Sequence, residues 1–128
     1  MREPLPGTAW SQQRILRRRA YGCWMASPEW LEVRRCWYAE WVSRYGAEPC
    51  CVVCGGAWQL EGGDLHHRSY RNLGHERFED LLPLDRACHD RVHAVWDANP
   101  AWRRIDRALA NDLIIGALRR THLENGRT

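Results

Sequence analysis

The chain has 128 residues, 45% of them apolar and 27% charged, with a formal net charge of +3. That is enough for one small domain with a modest core. No apolar run approaches the roughly 20 residues of a membrane-spanning helix, and residues 1–10 lack the apolar segment of a signal peptide, so a soluble intracellular protein is expected. A small core usually needs a staple, and six cysteines with six histidines make a metal the obvious one. In a reducing compartment Cys51 and Cys54 read as metal thiolates rather than as a disulfide.

In chain order, residues 1–26 form a basic N-terminal arm, with Arg14, Arg17, Arg18 and Arg19 free of acidic neighbours. Ser27-Pro28-Glu29 then supplies an N-cap, a proline suited to the first helical position and an acid for the first turn. A helix is predicted from about Pro28 to Tyr45. Trp30, Val33, Trp37 and Trp41 recur at helical spacing on an apolar face, and Gly46 is the natural stop. Cys51-Val52-Val53-Cys54 reads as a tight turn presenting two thiols. The alternation around Trp58 and Leu60, the Gly62-Gly63 turn and the return over Asp64 to His67 predict a short β-hairpin. A loop over 68–83 follows, then a helix from about Arg86 to Ala98, ended by Asn99-Pro100. A last helix, about Ala101 to Thr121, places Trp102, Ile105, Leu109, Leu113 and Leu118 near one side. The expected divisions are therefore residues 1–26, 27–98 and 99–128. Cys23 and Cys36 fit no ligand spacing and read as buried thiols.

The chemistry is carried by two histidine pairs. His89 and His93, four residues apart, fall on one helical face, and one member of the adjacent pair His66 and His67 can complete a set of three imidazole ligands. The other member, on a strand whose successive side chains diverge, stays free as a base. Phosphodiester hydrolysis needs these parts: a deprotonated water, positive charge at phosphorus and help for the leaving oxygen. Arg68, Arg71 and Arg77, in the loop beside the pair, are the expected phosphate contacts.

Cys51/Cys54, Leu65-His66-His67, Tyr70, Gly74, Glu76, Asp80-Leu81, Leu84 and Cys88-His89 with His93 together resemble an HNH endonuclease domain. The likeness covers roughly residues 21–97. It implies an α+β fold with a ββα-metal core and flanking helices, in an intracellular bacterial or phage protein. It also implies hydrolysis of DNA, double-stranded in the first instance, to 5′-phosphate and 3′-hydroxyl ends with one catalytic divalent metal (Mg, Mn, Ni or Zn). On this resemblance His67 is the general base, His66, His89 and His93 are the metal ligands, and Asp80 stands where the family usually has the asparagine that steadies the loop and orients the base. The charge of Asp80 is expected to raise the pKa of His67, and activity to fall as pH drops through about 6–7. Members with the first Cys-x-x-Cys usually carry a second for a structural zinc. Here Asp85 replaces one thiol, which leaves Cys51, Cys54, Cys88 and Asp85, or Cys50 as a rival fourth ligand. Two alternatives stay open: a non-cleaving module that grips nucleic acid or protein, and an accessory nuclease active only with a protein partner in a larger assembly.

Overall fold

The computed structural model describes residues 18–126. The rest of the basic arm, Arg14 and Arg17 included, lies outside them. Residues 18–25 are helical (α1) and lead into α2 (Pro28–Tyr45). Ser27 joins the two helices, its hydroxyl donating to the Trp24 carbonyl at 2.6 Å and accepting from Trp30 N–H at 3.2 Å. Such a cap contributes about 1 kcal/mol. Gly46 ends α2 at φ 67°, a conformation that costs a residue with a Cβ and not a glycine.

The sheet has two antiparallel strands, β1 (Asp64–His67) and β2 (Leu81–Leu84), paired Asp64 to Leu84 and His67 to Leu81. This differs from the expected hairpin. Trp58 does not enter a strand; it is 2% exposed in the core and donates its indole N–H to the Asp64 carbonyl at 2.8 Å. The loop expected over 68–83 instead holds a 3₁₀ turn, Phe78–Asp80, and supplies the partner strand. Pro83 is tolerated there because it is paired with Leu65 on one side while its carbonyl accepts Val52 N–H on the other, which ties the cysteine turn to β2.

Alternation along β1 divides two cores. Leu65 and Leu81 pack with Trp30, Trp37 and Trp58 against α2. On the opposite face Leu84 joins Cys51, Val53, Cys88, Val92, Ile114 and Ile115, buried between α3 (Arg86–Ala98) and α4 (Arg107–Asn125). The α2 stripe is therefore core as expected, although Leu31 and Tyr45 are exposed at its edges. Cys23 and Cys36, expected to be buried, are exposed.

The final helix begins later than its apolar pattern implies. Pro100–Arg104 is a 3₁₀ turn, and Asp106 starts α4 anew by accepting Leu109 N–H at 3.1 Å. With that start, Ala110, Asn111, Ile114 and Ile115 face inward while Ile105, Leu109 and Leu113 stay exposed. Of the expected stripe, Trp102 and Leu118 pack on the core, whereas Ile105, Leu109 and Leu113 do not.

Arg34 fastens α2 to the turn before β1 by donating to the carbonyls of Leu60 (2.6 Å) and Gly63 (2.8 Å). At Gly63 an added Cβ would lie 2.3 Å from the Gln59 carbonyl oxygen and 2.4 Å from the Trp58 ring. Gly63→Ala is expected to lower unfolding free energy by about 1–3 kcal/mol, the usual cost of overpacking. Urea denaturation checks this against the wild-type midpoint.

Candidate metal centre

Because Asp64 and His66 share a face of β1, both point toward α3. There His89 and His93 occupy successive turns, and one ring nitrogen from each of His66, His89 and His93 can be chosen so that all three lie within 4.8 Å of one another. The ring centroids of His66 stand 5.1 Å from His89 and 5.5 Å from His93, both edge to face. His89 Nε2 and His93 Nε2 are 3.0 Å apart. Two nitrogens bound at about 2.0–2.1 Å to one tetrahedral ion stand roughly 3.3–3.4 Å apart, so this pair needs little adjustment to share one. The group could hold a metal ion.

The surrounding hydrogen bonds fix which nitrogens carry protons. Asn111 on α4 donates both amide hydrogens, to the carbonyls of Arg68 and Arg107 at 3.0 Å each, so its oxygen must face His66. That oxygen accepts from His66 Nε2 at 2.6 Å, which leaves the lone pair on Nδ1. Asp64 Oδ2, 3.0 Å from His89 Nδ1, holds the proton there and leaves the His89 lone pair on Nε2. His93 Nε2–H then donates to His89, and a tautomer change frees both. Burial, the first cause, lowers the His66 pKa to about 4 and lowers that of His93. Those two imidazoles are neutral at neutral pH and release no proton on coordination.

His67 points the other way, into the α2 face. It is 2% exposed, with Trp30 stacked on it at 5.1 Å, Tyr70 at 5.4 Å and the edge of Tyr21 at 5.7 Å. Its Nε2 lies 3.3 Å from Glu76 Oε1, which also accepts Gly74 N–H at 2.9 Å. Neither His67 Nδ1 nor Glu76 Oε2 has a partner, though both are buried. Burial, opposed by Glu76, moves the His67 pKa down, contrary to the rise expected from Asp80. Asp80 acts upward but is the last of the causes. With His66, His67 and His93 all lowered, these imidazoles are expected to take up protons below the pH 6–7 window of a free imidazole. Asp80 itself bonds the loop, accepting from Asn72 Nδ2 and Arg77 N–H at 2.9 Å each, and Glu76 occupies the place beside the imidazole.

Cys51, Cys54, Cys88 and Asp85 form a second group whose ligand atoms all lie within 4.8 Å of one another, and it too could hold a metal ion. Sulfurs about 2.3 Å from a tetrahedral zinc stand roughly 3.8 Å apart, so the donor set fits. Asp85 has two tasks: Oδ1 caps α3 by accepting Cys88 N–H at 2.7 Å, and Oδ2 accepts from the Cys54 thiol at 2.9 Å. That bond to Asp85 raises the Cys54 pKa, and burial raises that of Cys88. Cys50 is exposed and outside the group.

The three expected phosphate contacts have different surroundings. Arg68 is committed to Asp112 by two bonds of 2.7 Å, Arg71 is exposed with Asp106 3.9 Å away, and Arg77 is exposed on a groove that it shares with Glu29, Glu32 and Glu40. Compared with protein-family models, curated proteins and solved structures, the chain matches none of them.

Ligand-orienting partners usually govern metal affinity by about 10–100-fold. Asp64→Ala and Asn111→Ala are each expected to weaken Ni²⁺ or Zn²⁺ binding at the histidines by about that factor. Both should leave the metal content of the cysteine group unchanged. Calorimetric titration with elemental analysis checks both.

Proposed function

We propose that the protein is a metal-dependent HNH-type endonuclease that hydrolyses DNA phosphodiester bonds, with β1, β2 and α3 as its ββα-metal core. The observation that carries this reading is the meeting of His66, His89 and His93 from two separate segments, with His67 next in the chain. The divalent ion they would hold supplies positive charge to the phosphoryl group and to the departing oxygen. Three imidazoles with no carboxylate oxygen suit Zn²⁺ or Ni²⁺ better than Mg²⁺. A structural zinc on Cys51, Cys54, Cys88 and Asp85 would brace the N-terminus of α3.

The residues of the chain do the rest. Glu76 holds the Nε2 proton of His67, so Nδ1 is the nitrogen that accepts a proton from the attacking water. Asp80 keeps the loop that carries Glu76 in place through Asn72 and Arg77. Nδ1 is covered, with the rings of Trp30, Tyr70 and Tyr21 packed about the imidazole; burial in this cluster has pushed the Tyr21 pKa up to about 12.

The same burial of His67 favours one second reading, a module that grips nucleic acid without cutting it. Plasmid incubated with Mg²⁺, Mn²⁺, Ni²⁺ or Zn²⁺ in turn separates the two. Nicking abolished by EDTA is expected, whereas gel shifts that persist in EDTA with no cut by any ion would favour the module. His67→Ala should keep its metal affinity and lose about 10²–10⁴ in nicking rate. Loss of metal binding together with cleavage would mean that ligand and base are exchanged.

A further inference from the structure

Arg107, the first residue of α4, forms no ion pair among the described residues. Its guanidinium carbon lies 4.2 Å from the Tyr70 ring centroid and 4.7 Å from that of Trp96. Tyr70 packs on His67. Trp96 follows His89 and His93 on α3 at helical spacing, so it continues their face. The Arg107 carbonyl accepts from Asn111, whose oxygen bonds His66. The side chain thus stands between Tyr70, three residues beyond His67, and Trp96 on the helix that carries His89 and His93.

Nothing among the described residues neutralises it. Arg68 has Asp112, Arg86 has Asp64 and Arg44 has Glu40, but no carboxylate forms an ion pair with Arg107, and its buried Nε has no acceptor. The adjacent Asp106 caps α4 and lies toward Arg71. Contact between ring faces and a guanidinium uses none of its N–H donors, and it restrains the side chain before a ligand arrives. A planar fork with free donors beside a cluster of metal-binding imidazoles matches the non-bridging oxygens of a phosphodiester.

We propose that Arg107 is the residue that binds the phosphodiester at the histidine site, taking the part that the sequence assigns to Arg68, Arg71 and Arg77. This rests on the nuclease reading for its catalytic consequence but not for the binding itself. Arg107→Met keeps the stem and removes the charge; Arg107→Lys keeps the charge and removes the fork. Two readouts apply: plasmid nicking with Ni²⁺ or Zn²⁺, and the salt dependence of binding to a short DNA duplex in EDTA. Arg35→Ala, on the exposed face of α2, is the control.

The expected result for Arg107→Met is a nicking rate lower by about 10²–10³, a binding slope against log salt smaller by about one, and unchanged metal affinity. Arg107→Lys should restore the slope but only part of the rate. A slope in Arg107→Met equal to wild type overturns the assignment whether or not the wild type cuts. So does a loss of metal affinity, which would make Arg107 a packing residue. If the wild type never nicks but the slope still falls, the anion site stands and the nuclease reading fails.

Discussion

Side-chain alternation along β1 is the constraint on which the rest of the site depends. Four residues, Asp64 to His67, pair with Leu81–Leu84, and each step along the strand reverses the face. Asp64 and His66 therefore join α3, while Leu65 and His67 join the tryptophans of α2. Two adjacent imidazoles acquire different surroundings from one backbone rule. A shift of one residue in register would exchange them. The register is held from both sides, by Trp58 and Arg34 before β1 and by Val52 on Pro83 of β2.

The second constraint is the cost of burying polar groups. Imidazoles, a carboxylate and an amide crowd the α3 face, and each must find a partner or lose about 1–3 kcal/mol. Asn111 and Asp64 meet that demand in one arrangement of protons, which is also the arrangement that leaves lone pairs on His66 and His89. On the α2 face the demand is unmet: His67 Nδ1 and Glu76 Oε2 have no partner. Unpaired buried groups of this kind are tolerated where a function needs them. Asp85 couples the cysteine group to α3, since the carboxylate that faces the thiols also caps the helix carrying His89 and His93.

Much of this was legible from residues alone. Ser27-Pro28 and Gly46 bound α2, Asn99-Pro100 ends α3, and the spacing of His89 and His93 puts both on one face. The hairpin was misassigned because Trp58 and Leu60 alternate like a strand, whereas the true partner is four residues long and contains a proline. The start of α4 and the middle of its apolar stripe were misjudged because Asp106 restarts the helix within the apolar pattern, while Trp102 and Leu118 do pack on the core. Asp64 could have been found, since it lies two residues before His66 on the same strand face. Glu76 is among the elements that carry the resemblance, but its contact with His67 had no sequence signal, and Asn111 and Arg107 could not be found: single polar residues on α4 carry no spacing signal, and only its packing brings them in.

Anomalous diffraction from crystals grown with Zn²⁺ or Ni²⁺ tests the central claim most directly, because it locates the ion without reference to activity. The account predicts a peak between the α3 face of β1 and the first two turns of α3, about 2.0–2.1 Å from one nitrogen each of His66, His89 and His93. An ion held by the cysteine group alone, with the histidine rings still bonded to Asn111, Asp64 and each other, would contradict it.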